Sequence, residues 1–208
     1  MKITYAICVC NEHEELNRLL SFLKDVKHED DDINILIDTK NVTTSVKLVL
    51  EEFSKDITTC ERDFDNNFGA HRNFQFTQCT GHYIFIIDGD EIPRVQLVKN
   101  MRNIINQSGA DCIAVPRINI ISDITDKYNQ ICKFNINEQG WINWPDFSFR
   151  LFKNNKNIKY EKQKLHEVLS GFEKGCSVAA KPLLAIWHIK NIKRQMKQHD
   201  LYESIAGR

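Results

Sequence analysis

The chain has no surplus of either charge. Lys plus Arg number 28 and Asp plus Glu number 28 among 208 residues, so the formal net charge is zero with histidine neutral. A dedicated nucleic-acid binder carries a basic excess, so no nucleic-acid partner is expected. No Cys-x-x-Cys pair occurs among the seven cysteines, Cys8, Cys10, Cys60, Cys79, Cys112, Cys132 and Cys176. Their number is odd, and several lie inside apolar runs such as Ala6-Ile7-Cys8-Val9-Cys10. That pattern predicts buried free thiols in a reducing compartment rather than a disulfide or zinc framework. No apolar run approaches the length of a membrane span, and Met1-Lys2-Ile3-Thr4-Tyr5 enters a strand pattern directly, so no secretory leader is expected. A cytoplasmic protein without a transmembrane segment is expected. Internal repeats, low-complexity tracts and linkers are also missing, so residues 1–208 are expected to form one domain.

What is present is alternation. Ile3 to Val9 reads as a strand, and Leu16, Leu19, Leu20, Leu23 and Val26 then recur at helical spacing. Ile33 to Ile37 predicts a second strand ending in Asp38, Val42 to Phe53 a second helix, and Ile57 to Cys60 a third strand. Arg62 to Phe68 is read as a loop. Gly69 to Cys79 is read as a helix carrying His71, Arg72 and Asn73 near its start. Tyr83 to Ile87 is a strand, Val95 to Ile105 a helix and Cys112 to Val115 another buried strand. This order predicts an α/β fold with a mostly parallel sheet and helices on both faces. Beyond Pro116 the pattern changes. Ile118 to Phe134 mixes short β-like runs with turns, and Trp141 to Asp146 reads as a loop. Phe147 to Phe152 alternates as a strand, with Phe147, Phe149 and Leu151 on one side. Leu183 to Trp187 is a last strand ending at His188, and a basic, amphipathic stretch runs from Ile192 to Arg208. The abrupt end there suggests a domain cut from a longer chain.

The chemistry gathers at Ile87-Asp88-Gly89-Asp90-Glu91. Three carboxylates end an apolar strand, where an open α/β sheet places its ligands. Such a cluster needs a cation or protons to be tolerable. The alternative is a solvated acidic turn, and the segment alone does not choose. Asn11-Glu12 and Asp38 also fall at strand ends, so they can converge with Asp88 and Asp90 on one ligand. Asp-x-Asp suits Mg²⁺ or Mn²⁺, which prefer oxygen donors, and Mn²⁺ also accepts imidazole. His188 is therefore a candidate ligand or a structural histidine. Arg72 could pair with a diphosphate or with Asp88, or lie solvated. His166-Glu167 is either an exposed pair or the source of a general base.

These residues resemble family 2 glycosyltransferases of the GT-A (nucleotide-diphospho-sugar transferase) fold. Tyr5-Ala6-Ile7-Cys8-Val9-Cys10-Asn11-Glu12 is similar to the family's opening strand. Phe68 to Phe74, followed by Thr80 to Glu91, resembles its central block almost throughout. Phe149-Arg150-Leu151-Phe152 with Leu165-His166-Glu167 resembles the acceptor-side block of the subgroup related to lipopolysaccharide-core transferases. The resemblance covers roughly residues 3–190. It implies a nucleotide-binding half, 1–116, and a smaller mixed β acceptor-side half, 117–208. It implies a nucleotide pocket lined by Cys8, Val9, Cys10, Asn11 and Glu12. Asp38 would hold uracil or ribose, Arg72 would sit near the uracil, and Gly89 lies between Asp88 near the ribose and Asp90 on the metal. His188, with His166 as second candidate, would complete the metal shell, which Asp88 could also join. Glu167 would be the base, although Val168 stands where relatives carry an acidic partner, so Asp146 is a second candidate. Trp141, Trp144 and Phe147 could stack on sugars or form a loop cluster. The implied partners are a UDP-sugar donor, Mn²⁺ or Mg²⁺, and a glycan or glycoprotein acceptor. Size and composition are also similar to glycosyltransferase domains of chlorella-virus capsid-glycosylating proteins. That similarity would imply hexose or deoxyhexose transfer to a viral capsid protein in the host cytoplasm. The rivals are a non-catalytic nucleotide-sugar module, a haloacid-dehalogenase-type phosphatase and a nucleotidylyltransferase. The phosphatase should continue Gly-Thr or Gly-Val after the motif, and the nucleotidylyltransferase should show a Gly-rich loop after Val9.

Overall fold

The computed structural model describes residues 1–161 and 168–206. His166 and Glu167 lie outside the described residues. The chain opens with β1 (Ile3–Val9), α1 (His13–Val26), β2 (Asp32–Asp38), α2 (Thr44–Glu52), β3 (Thr58–Arg62), α3 (Phe68–Phe76), β4 (Tyr83–Asp88), β5 (Glu91–Pro93) and α4 (Val95–Ser108). Local chemistry sets these boundaries. The Thr43 hydroxyl accepts the Val46 N–H at the start of α2, and the Asn67 side-chain oxygen accepts the Ala70 N–H at the start of α3. Gly109, at φ 55°, takes the left-handed position that ends α4. Leu16, Leu19, Leu20 and Leu23 form the buried stripe of α1 that their spacing predicts.

The second half holds β6 (Cys112–Ser122), α5 (Asp126–Cys132), β7 (Ile142–Lys153), β8 (Lys159–Tyr160), β9 (Leu169–Ser170), β10 (Gly175–Ser177), β11 (Ile186–Asn191) and α6 (Ile192–Ala206). Among the described residues nine strands form one sheet in the order β3-β2-β1-β4-β7-β6-β11-β5, with β10 on β6; β8 and β9 pair separately. The strands β3, β2, β1 and β4 are mutually parallel. β7 runs antiparallel to both neighbours, and β11 lies parallel to β6 and antiparallel to β5. Alternate residues feed two cores. Phe85 and Ile87 join the cluster containing α1, α2 and α4 residues, while Ile84 and Ile86 join the one containing Phe76 of α3. Asp88 continues the second series, toward α3. All seven cysteines are free thiols. Among the described residues, no helix is long and apolar enough to cross a membrane.

The later elements differ from the sequence reading. β6 does not stop at Val115 but runs to Ser122, and α5 occupies part of the stretch read as short β-like runs. Trp141 to Asp146 is not simply a loop, because β7 begins at Ile142. There Asp146 pairs with Arg117 and Ile142 with Asn119, so pairing to the extended β6 overrides a turn-like composition. The alternation in β7 also breaks. Its register jumps from Ile113↔Leu151 to Ala114↔Phe149, which leaves Arg150 as an extra residue in a bulge. Phe149 therefore packs with Phe152, while Leu151 belongs to the opposite core. Pro182–Leu184 forms a 3-10 turn, so the last strand starts at Ile186 and His188 lies inside it rather than at its end.

Candidate functional site

Parallel pairing of β1, β2 and β4 brings the ends of these strands, with Cys8 to Cys10, Asp38 and Asp88, to one edge. Gln75 fixes α3 against that edge. Its buried amide donates to the carbonyls of Ile7 and Asn34, each at 3.0 Å, and accepts from Cys8 Sγ at 3.3 Å. One helical turn earlier on the same face, Arg72 donates to Asp88 Oδ1. Of the expected nucleotide residues, Cys8 turns its thiol to α3 and Val9 lies in the core, so Val9 offers the edge only its backbone. Cys10 donates its thiol to the Asn41 carbonyl at 3.5 Å, and Asn11 is exposed. Asp38 is buried. Its Oδ1 accepts the N–H groups of Lys40 and Phe64 at 3.1 and 3.2 Å, and Oδ2 accepts from Asn41 Nδ2 at 2.7 Å. It thus ties together the loops that follow β2 and β3.

Glycine at position 89 has a specific cause. A Cβ there would stand 2.6 Å from Glu12 Oε1 and 2.7 Å from Glu12 Cγ. The group that comes close to Gly89 in the protein is thus Glu12. This carboxylate closes the turn after β1, accepting the Cys10 N–H at 3.1 Å and the Asn11 N–H at 2.8 Å. Burial pushes its pKa up, with help from the nearby Asp90 charge and against those two hydrogen bonds.

Behind Asp88 lies a network the sequence did not reveal. Arg150, re-aimed by the bulge, donates to Asp88 Oδ2 from both Nη atoms at 3.3 Å and to Glu91 Oε1 at 2.7 Å. Glu91 is fully buried, so it is neither a solvated third carboxylate nor a helix cap; Arg94 holds the cap position of α4. Its Oε1 also faces Arg117 Nη1 at 3.3 Å, and its Oε2 accepts the Asp88 N–H at 2.9 Å. Arg117 in turn donates to Asp146 Oδ2 from Nε and Nη2, at 2.9 and 2.7 Å. Burial alone would raise the pKa of Asp88, but Arg72 and Arg150 outweigh it and hold the group far below the carboxylate range. Asp146 is lowered in the same way, its burial outweighed by Arg117 and by Asn119, which donates to Oδ2 at 2.8 Å.

Asn119 links this network to His188. A carboxylate only accepts, so the Asn119 amide must direct Nδ2 to Asp146 and Oδ1 to His188 Nδ1, at 2.9 Å. Nδ1 of His188 therefore carries a proton. Pairing of β11 with β5 sets His188 opposite Glu91, beside Asp90, and Nε2 lies 3.4 Å from Asp90 Oδ2. In the neutral ring, Nε2 is a lone pair facing a carboxylate oxygen. That gap needs a proton or a metal ion. Burial raises the Asp90 pKa, but His188 and Arg194 bring it below its ordinary value. A ring whose other nitrogen donates to a carbonyl oxygen is the usual form of a metal-binding histidine. Both Asp88 oxygens are taken by guanidinium groups, so Asp90 and His188 are the residues that fit a metal. No group of three or more His, Cys, Asp or Glu is arranged to hold one among the described residues. A Mg²⁺- or Mn²⁺-type site, which takes its other oxygens from phosphate and water, needs only such a pair.

Arg117, Asn119, Arg150 and Arg194 were missed by the sequence reading. A charged residue within the aromatic Phe149-Arg150-Leu151-Phe152 run was the one available signal.

Comparison with known proteins supports the family these features suggest. The profile of glycosyl transferase family 2 matches residues 4–180. The chain belongs to that family. No curated protein sequence matches it. Among solved structures, S. aureus TarS 1-349 in complex with UDP-GlcNAc is similar at a TM-score of 0.66 and 12% identity, over 99% of this chain and 66% of that one. The TarS complex with UDP gives 0.64 and 11%, over 99% and 65%. Mannosyltransferase PcManGT from Pyrobaculum calidifontis, in complex with GDP-Man and Mn²⁺, gives 0.55 and 9%, over 89% and 56%. At such identities the likeness shows the GT-A fold. The chain spans just under two thirds of the length of the TarS 1-349 structures and less of PcManGT.

Proposed function

We propose that the chain is a metal-dependent glycosyltransferase that moves a hexose or deoxyhexose from a UDP-sugar to a hydroxyl of a glycan or glycoprotein. The observation that carries this reading is the Asn119–His188–Asp90 relay, which sets an imidazole nitrogen 3.4 Å from a carboxylate oxygen at the strand edge where Asp38 and Asp88 also lie. In this reading the nucleotide lies along the ends of β1, β2 and β4. Cys8 to Glu12 form its floor, Asp38 meets the base or ribose, and Arg72 holds Asp88 in position for the ribose. Asp90 and His188 would hold Mn²⁺ or Mg²⁺, which supplies positive charge to the diphosphate as the glycosidic bond breaks. Asp146 has given one oxygen and much of its basicity to Arg117, which favours Glu167 as the group that takes the acceptor proton. Trp141 and Trp144, in edge contact at 5.2 Å, and the exposed Phe147 offer apolar surface on the acceptor side. The division at about residue 116, the viral capsid acceptor and the cytoplasmic setting belong to the same proposal. The phosphatase and nucleotidylyltransferase alternatives lose their ground with the family assignment.

The test is calorimetric titration with UDP and with GDP, each with Mn²⁺ and with chelator. UDP binding that needs the metal is expected, and Asp90→Ala should weaken it by more than about tenfold. Absence of UDP binding under both conditions removes the donor assignment. Tight metal-dependent UDP binding without release of UDP from any sugar donor, across a panel of acceptors, favours the non-catalytic module.

A further inference from the structure

α6 returns a cation to the acidic edge. Asn191 Oδ1 accepts the Arg194 N–H at 2.9 Å, which fixes the first turn of the helix. The Arg194 side chain then meets three carboxylates. Its Nη1 lies 2.9 Å from Glu15 Oε1, while Nη2 lies 3.5 Å from Asp90 Oδ2 and 3.9 Å from Glu12 Oε2. The Glu15 contact is close, whereas the other two are loose. Asp90 Oδ2 is the same oxygen that faces His188 Nε2. A divalent ion on Asp90 and His188 and a guanidinium on Asp90 compete for one carboxylate.

A second cation lies nearby. Lys190, two residues beyond His188 and on the same buried face of β11, donates to the uncharged Gln198 Oε1 at 2.5 Å. Among the described residues no carboxylate stands within ion-pair distance of it. A buried ammonium held only by an amide oxygen is costly unless an anion arrives. This edge thus has one cation that must yield to a metal and another that makes no ion pair among the described residues.

We propose that Arg194 is an exchangeable counter-ion. Without donor it neutralises Asp90 and Glu12; when the metal takes Asp90, Arg194 passes to the diphosphate beside Lys190. This rests on the donor reading above and gives Arg194 two opposite effects that a purely structural residue would not have.

The experiment uses the full chain with Arg194→Ala and Arg194→Lys. Mn²⁺ alone is titrated by the resonance of the free ion, and UDP is titrated at saturating Mn²⁺. Arg194→Ala should bind Mn²⁺ alone about tenfold more tightly and UDP about tenfold more weakly, each about 1.4 kcal/mol. Arg194→Lys should recover part of the UDP affinity. Mn²⁺ affinity that is unchanged or lower in Arg194→Ala overturns the exchange, as does unchanged UDP affinity. Wild-type protein that binds Mn²⁺ but no UDP overturns the donor reading instead.

Discussion

Asp88 and Asp90 sit two residues apart in one turn, yet their surroundings differ in kind. Asp88 sits in an interior ladder in which Arg72, Asp88, Arg150, Glu91, Arg117 and Asp146 alternate in charge, with several bonds to most members. Asp90 meets one imidazole at 3.4 Å and one guanidinium at 3.5 Å. The first environment is over-determined: removing any partner leaves a buried charge behind. The second is loose, and its guanidinium contact can be given up without unsatisfying the interior. A motif that looks symmetric in sequence therefore divides its labour. The inner aspartate is fixed by the framework of the turn, and the outer one is held loosely.

The strongest way to break this contrast is to remove the hub of the inner ladder. Glu91 is fully buried and meets two guanidinium groups and a backbone N–H. Glu91→Ala strands Arg150 and Arg117, so a loss of about 3–5 kcal/mol in urea unfolding is expected. A loss below about 1 kcal/mol, the range of an exposed pair, would erase the distinction between inner and outer carboxylates.

A somewhat smaller effect tests the cationic side of the same framework. His71, adjacent to Arg72, is buried, and its Nδ1 lies 3.2 Å from Arg62 Nη1. A guanidinium only donates, so Nδ1 accepts and the ring is neutral. Burial, reinforced by the Arg62 charge, lowers its pKa to about 4. The folded value lies below the unfolded one of about 6.5, so the unfolded chain binds more protons between the two. The His71 contribution is complete above pH 6.5 and declines as pH falls toward 4, by on the order of 3 kcal/mol. The lowered Asp88 contributes above its unfolded value of about 3.9 and is lost only in more acidic solution. The two windows barely overlap. Stability measured from pH 7 to 4.5 should lose this His71 decline in His71→Gln, while the opposite, acid-side gain from the raised Glu12 is common to both proteins. An equal slope in both would place the titration elsewhere.

These differences also show which parts of the molecule the sequence could disclose. Helical and strand periodicity are local, and from Ile3 through Ser108 they located every helix and all strands but β5 to within a few residues. Carboxylates at the ends of parallel strands are legible because the topology sends those ends to one edge, and Asp38, Asp88 and Asp90 were found that way. The inner ladder was not legible because it depends on register. Arg150 reaches Asp88 through a bulge opposite β6, and Asn119 reaches His188 through a β6 that outruns its apolar core. Trp141-Ile142-Asn143-Trp144-Pro145-Asp146 has the composition of a loop, and only long-range pairing makes most of it strand. Arg194 had no signal beyond the basic start of a helix, since its partners lie on α1 and in the turns after β1 and β4.

The smallest expected stability effect bears on that last residue. Arg194 keeps part of its side chain in solvent, and its one close partner, Glu15, is similarly exposed, so Arg194→Ala should shift the urea midpoint by less than about 1 kcal/mol. The sign matters more than the size. Losing the Glu15 pair destabilises, and three carboxylates left without their shared cation repel, so a small loss is expected at low salt. Added salt should screen that loss and shrink it. Millimolar Mn²⁺ should do more, stabilising Arg194→Ala beyond the wild type, because an ion that binds only the folded state adds stability in proportion to its affinity. A salt-insensitive loss of several kcal/mol would instead make α6 part of the framework. Asp90 would then be held as firmly as Asp88, and the turn would have no loose side to offer a metal.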